Sequence, residues 1–211
     1  MKHLTILSLS ILFFAGCGLP DLDIWETLTI KEGTHRAKPY RLTWHDNTME
    51  AYEWRFDETA LYDLGDADQC DWNKLNIISF KKLTNTECAI MGSWRWDLSG
   101  KLLIAPYYHD NGQTFWASAP CTPTSTGSGV DGEIGYIEAE IGDVIETHVN
   151  INPDDNWAAI TIINQATGET TYFEHYFSCD VSRHRDGGPW FGGNRDAPHD
   201  IYIERKLIGA E

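Results

Sequence analysis

The sequence has no uninterrupted apolar run long enough to cross a bilayer. Its longest candidate, Leu4–Ala15, falls short of the ~20 residues that a spanning helix needs. It has no stripe of helical period, which argues against a helix bundle. It has no self-similarity at a period of 20–50 residues, which argues against a propeller or solenoid. It is poor in positive charge: 16 Lys and Arg stand against 32 Asp and Glu, a net charge of −16. Phosphate backbones repel such a chain, so nucleic acid is not an expected partner. No Gly-x-Ser-x-Gly elbow, phosphate loop, dinucleotide fingerprint or His-Glu-x-x-His zinc motif is present, nor the Glu-x-Asp-x-x-Glu run of sandwich glucanases. No two cysteines stand two to four residues apart, as a zinc knuckle requires.

What is present begins with an export signal. Lys2 precedes the short apolar run, which ends Phe14-Ala15-Gly16-Cys17. That tetrapeptide resembles a bacterial lipobox, and the resemblance implies cleavage before Cys17 and lipidation of that residue. Residues 1–16 therefore read as a lipoprotein signal peptide, 17–24 as a tether, and 25–211 as one folded domain. The expected location is the cell envelope, lipid-anchored at the outer membrane, facing the periplasm or the surface. Four further cysteines, Cys70, Cys88, Cys121 and Cys179, are an even set in an exported chain and predict two disulfides. Three pairings are open. Cys70–Cys88 with Cys121–Cys179 is favoured because the first pair flanks a single strand.

From Trp25 onward the pattern is β. Tyr52-Glu53-Trp54-Arg55-Phe56-Asp57 sets aromatic residues on one face and charges on the other. Ile90, Gly92, Trp94, Trp96 and Leu98 share a face, and Ser99-Gly100 turns the chain into Lys101–His109, so these runs form a hairpin. About a dozen short strands separated by Gly, Asn, Asp and Pro turns predict an all-β antiparallel sandwich, jelly-roll or concanavalin A-like, with an aromatic core. Residues 120–132 read as a long surface loop.

Three groups of residues carry candidate chemistry. Asp66, Asp68 and Asp71, with Asp63 before them, offer hard oxygen ligands that suit calcium. The other reading is a turn whose Asp side chains bond their own backbone. In Pro189–Asp200, Trp190 offers a stacking platform for a sugar, and Asn194 and His199 offer hydrogen bonds to hydroxyls. The other reading is a Gly-Gly corner plugged by Trp190. Arg95 with Tyr107 and His109 forms a polar face suited to sugar rings or to the acid group of a uronate. Glu53 and Glu174 supply carboxylates for a glycosidase, but no spacing supports the pair. Tyr107, His109, His148, His175 and Arg95 supply residue types a lyase would use.

Several short blocks also resemble a family of exported lipoproteins of the Bacteroidetes. They are Ile30–His35, Tyr62–Gly65, Asp68-Gln69, Asp71–Leu75, Trp94-Arg95-Trp96, and Phe191–Asn194 with Ala197–Asp200. The likeness spans about residues 25–206. It implies a jelly-roll or concanavalin-like domain and an envelope location, and it carries no reaction. The expected function is a non-catalytic glycan-binding lipoprotein. A polysaccharide-cleaving hydrolase or lyase, and a structural or protein-interaction lipoprotein, are the alternatives. A Cys17→Ala variant is expected to leave the membrane fraction on cell fractionation; a variant that stays membrane-bound contradicts the anchor.

Overall fold

Tyr52, Trp54 and Phe56 alternate with Glu53 and Arg55 in the sequence, and the same alternation separates buried from half-buried positions along their strand. A computed structural model describes residues 24–40, 44–81, 87–121, 130–131 and 134–210. The signal peptide, Cys17 and all but the last residue of the tether lie outside the described residues. Among the described residues, fifteen strands follow in chain order. They are β1 (Glu26–Ile30), β2 (Ala37–Lys38), β3 (Trp44–His45), β4 (Met49–Phe56), β5 (Asn73–Ser79), β6 (Cys88–Asp97), β7 (Lys101–Asp110) and β8 (Gln113–Ala117). After them come β9 (Val130–Asp131), β10 (Ile137–Ala139), β11 (Val144–Asn152), β12 (Trp157–Asn164), β13 (Thr170–Tyr176), β14 (His184–Asp186) and β15 (Ile201–Ala210).

They form two sheets. Sheet A runs β13-β12-β11-β4-β15-β1-β2, and sheet B runs β3-β14-β5-β6-β7-β8-β9 with β10 paired to β7. Every pair is antiparallel except β8 with β9. The fold class expected from the sequence is the one observed, an antiparallel β-sandwich of the jelly-roll kind. Trp54 and Phe56 from sheet A and Trp94 and Ile90 from sheet B are fully buried between the layers. Phe56 meets Trp94 with ring centroids 5.1 Å apart, and Trp54 Nε1 donates to Thr147 Oγ1 at 2.9 Å. Each such side chain contributes about 1.5–3 kcal/mol on burial. Gly92 belongs to this layer because a Cβ there would sit 3.0 Å from Asn76 Oδ1 and 3.4 Å from Thr147. One buried polar pair crosses the same space: His184 Nε2 and Glu50 Oε1 lie 2.7 Å apart. Burial opposes the Glu50 charge, but the hydrogen bond and charge of His184 outweigh it and hold the carboxyl below its ordinary range.

The favoured disulfide pairing is corrected. The bridges are Cys70–Cys121 and Cys88–Cys179, with Cα–Cα distances of 5.7 and 6.5 Å. The reason is the β5–β6 hairpin. Asn73 lies opposite Trp94 and Ser79 opposite Ala89, so Cys70 and Cys88 stand at opposite ends of it. Seven residues of strand separate them, about 24 Å. Cys70 meets Cys121 where the Arg95 guanidinium gathers both segments. Cys88 lies opposite Asp110, which accepts from Ser178 beside Cys179. An unreduced proteolytic digest read by mass spectrometry is expected to join the Cys70 and Cys121 peptides and the Cys88 and Cys179 peptides. A Cys70–Cys88 species contradicts this topology. Loops of 51 and 91 residues make each bridge worth about 4 kcal/mol by loop closure.

Candidate functional site

The site lies on the outer face of sheet B, the face turned away from sheet A. Register fixes its members. On β6, Ile90, Gly92 and Trp94 point inward, so Met91, Ser93 and Arg95 point outward. Tyr107 pairs with Met91 and with Trp116, and His109 pairs with Ala89 and Thr114. Lys74 pairs with Ser93 and therefore joins them, because a bulge between Lys74 and Ile77 adds one residue to β5. Trp190 completes the group: its N–H donates to Lys74 O at 2.9 Å and its carbonyl accepts from Lys74 N at 2.7 Å.

Lys74 is the centre of this group. Its Nζ stands 4.9 Å from the centroid of the Tyr107 ring and donates to the carbonyls of Trp72 at 2.8 Å and Gly192 at 3.3 Å. Burial of the ammonium pushes its pKa from 10.5 to about 8, against the pull of Asp71. Burial together with the charge of Lys74 lowers His109 to about 4, so this imidazole is neutral at pH 7. His109 Nδ1 lies 2.9 Å from Thr114 Oγ1. Burial and the nearby Asp71 raise the Tyr107 phenol, which stays protonated. Trp116 stacks on Tyr107 with centroids 6.0 Å apart and 13° between planes, and is half-exposed. The arrangement offers one ammonium near neutrality, one permanent phenolic donor and an aromatic platform.

The residues expected from the sequence divide. Tyr107 and Trp190 fall within the site, and the exposed Asn194 borders it, its backbone N–H bonding the Asp71 carboxylate. Arg95 lies on the same face but is only 3% exposed. Its guanidinium donates to the carbonyls of Cys70 and Ala119, both at 3.0 Å, and to that of Pro120, and it rests over Trp72 at 4.6 Å. It serves as a clamp. His199 lies elsewhere, with Nε2 2.9 Å from Thr59 O. Glu53 and Glu174 cannot act as a pair: β11 and β12 separate their strands. That is about 14 Å of sheet, beyond the ~5–9.5 Å such chemistry requires. His148 and His175 belong to sheet A, against Glu146 and Asp110.

The aspartates are engaged within the chain. Asp66 and Asp68 both accept from Arg195, Asp68 at 3.0 Å. Asp66 caps a short 3-10 turn by accepting from Asp68 N at 3.0 Å, and Asp63 accepts from Gly65 N at 2.8 Å. Asp71 is drawn toward Lys74; burial and Asp68 raise its pKa, while the Gly193 and Asn194 N–H groups oppose the rise. Among the described residues, no group of three or more His, Cys, Asp or Glu stands ready to hold a metal ion. Sequence reading passed over Lys74 and Trp116. The bulge hid the face of Lys74, and nothing in a five-residue strand singles out Trp116.

No family model matches the chain, and no curated protein does. Among solved structures it is similar to the alginate lyase vAL-1 from Chlorella virus, at 11% identity and a TM-score of 0.46, over 86% of this chain and 81% of that one. It is similar to peanut lectin at 8% identity and 0.40, over 90% and 94%. It is similar to the winged bean acidic lectin at 8% and 0.36, over 82% and 78%. Likeness of this depth carries no functional argument, and the side chains must supply it.

Lys74 makes a testable cost. Its folded pKa lies below its ordinary one, so below about pH 8 the fold bears a buried charge that the unfolded chain does not. That penalty is relieved as pH rises from about 8 to 10.5. At about 1.4 kcal/mol per pKa unit it amounts to roughly 2–3 kcal/mol after allowing for partial exposure. Lys74→Met is expected to raise the melting temperature at pH 7 and to lose the stability gain of the wild type between pH 8 and 10.5. A Lys74→Met chain less stable at pH 7 contradicts this assignment.

Proposed function

We propose that the protein is a glycan-binding β-sandwich of the cell envelope, anchored through Cys17, with its binding face on the outer side of sheet B. The observation that carries this reading is the half-buried Lys74, its ammonium held 4.9 Å from the centroid of the Tyr107 ring on the outer face of sheet B. A cation that lowers stability is the kind of group a binding site carries. Trp116, half-exposed, offers a flat apolar face to the C–H face of a pyranose ring, and half-exposed Trp190, stacked on His35 with centroids 5.2 Å apart, adds apolar surface on the same side of the sheet. Lys74, Tyr107 and Asn194 supply donors for hydroxyl or carboxylate oxygens. A glycan array is the direct test. Wild type is expected to bind a subset of polysaccharides, with Lys74→Met and Trp116→Ala each weakening that binding by roughly tenfold or more. Binding to no glycan favours the structural lipoprotein.

One observation favours a second reading, a polysaccharide lyase. Perturbed pKa values of opposite use stand side by side here. With a pKa of about 8, roughly a tenth of Lys74 is neutral amine at pH 7 and can take a proton. Tyr107, with its raised pKa, can give one. In a uronate chain, the amine would remove the proton α to the carboxyl group. The resulting electron pair would form the ring double bond as the glycosidic C–O bond breaks, and Tyr107 would protonate the leaving oxygen. Incubation with a panel of uronate polysaccharides tests this. Rising absorbance from unsaturated uronates, lost in Lys74→Met and Tyr107→Phe, supports the lyase; a flat trace with retained binding supports the non-catalytic reading.

A further inference from the structure

The geometry points to a polyanion rail on this protein: Arg36, Arg183 and Arg185, interleaved with Tyr40, Trp44 and Trp190, form a track for a uronate- or sulfate-bearing polysaccharide leading to Lys74. The inference deepens the glycan-binding reading and rests on it. The track runs along one border of sheet B. Residues 184–190 run beside β5, with Arg185 opposite Ser79 and Trp190 opposite Lys74. Trp44 pairs with Arg185 and Arg36 with Trp190 from the far side. Register therefore puts these side chains on the outer face that holds Lys74 and Tyr107.

The contacts alternate ring and guanidinium. Arg36 Cζ lies 4.2 Å from the Tyr40 centroid and 5.3 Å from that of Trp190. Arg185 and Arg183 lie 4.1 and 5.4 Å from Trp44. Among the described residues, none of these three guanidinium groups has a carboxylate partner or a hydrogen bond of its own, and Arg185 Nε is buried without a partner. This stands out in a chain with 32 acids and 16 bases, where Arg55, Arg195 and Arg205 all hold carboxylates. Each guanidinium packs against a ring rather than a carboxylate, which leaves N–H donors for an oxyanion. From Arg185 to Trp190 the track covers about 14 Å, the four steps of β6 from Ala89 to Ser93 that their β5 partners face, which is the reach of a short oligosaccharide. A neutral glycan gives these cations nothing to pair with. Nucleic acid shares the charge, but two disulfides fit an oxidising, exported setting, away from nucleic acid.

The test measures affinity for hexasaccharides of galacturonate, mannuronate and sulfated galactose, for neutral cellohexaose, and for a thymidylate dodecamer. The chains are wild type, Arg36→Gln/Arg185→Gln and Lys74→Met, with Arg36→Gln/Arg183→Gln as a more exposed substitute should the first pair fail to fold. At least one acidic hexamer is expected to bind better than cellohexaose and to weaken with salt. The double variant is expected to lose roughly tenfold or more in affinity for that hexamer with its melting temperature kept. Equal affinity for acidic and neutral hexamers, or a double variant that binds like wild type while Lys74→Met does not, overturns the rail and leaves the glycan reading intact. Binding to no hexamer overturns both, and preference for the dodecamer replaces the glycan by nucleic acid.

Discussion

The contact on which the molecule depends is the packing of Trp94 against Phe56 between the two sheets. It belongs to a layer of fully buried side chains, Trp54, Ile90 and Leu75 among them, that leaves no room for sheet B to shift on sheet A. With the inner face of β6 immobilised, each residue on its outer face inherits a fixed direction. The Arg95 clamp then holds the Cys70 and Cys121 segments over one end of that outer face. The other end, at Lys74, His109 and Trp116, stays half-open. Rigid support on one side and partial cover on the other is how a sandwich turns strand positions into a site.

Charge is distributed unevenly over this frame. The outer face of sheet A neutralises its cations locally, Arg55 with Glu204 at 3.0 Å and Lys206 with Glu53 at 2.5 Å. Asp66 and Asp68 have Arg195. Exposed pairs of this kind contribute little to stability, but they cancel the field around each cation. The border of sheet B does the reverse: aromatic rings, rather than carboxylates, carry the arginines there. A net charge of −16 sets a repulsive background for any polyanion, so a cationic strip on such a chain acts as a selective landing place.

Much of the architecture was legible because the sandwich needs strict alternation. Tyr52, Trp54 and Phe56 could not share a face unless β4 were half-buried, and Ser99-Gly100 could only close a hairpin between β6 and β7. The candidate face was legible in part. Alternation along β6 and β7 puts Tyr107 and His109 on one face, while Trp190, read in a separate C-terminal stretch, joins them through its bridge to Lys74. Arg95 was assigned to the correct face, but alternation is silent about what crosses above it, and backbone carbonyls took its donors. Lys74 was hidden by the bulge, since simple alternation from Ser79 would turn it inward. β14 escaped notice because three residues, His-Arg-Asp, carry too short a pattern to read as a strand, and with it went the arginine track. The disulfide pairing failed for a related reason: sequence proximity of Cys70 and Cys88 says nothing about the two ends of a hairpin.

Hydrogen–deuterium exchange, with and without saturating acidic polysaccharide, tests most directly whether the outer face of sheet B is the working surface. Slowed exchange is expected in residues 36–40, 72–76, 105–109, 113–117 and 184–194, with the strands of sheet A unchanged. Protection confined to β12 and β13, around the exposed Tyr172 and Tyr176, would contradict it.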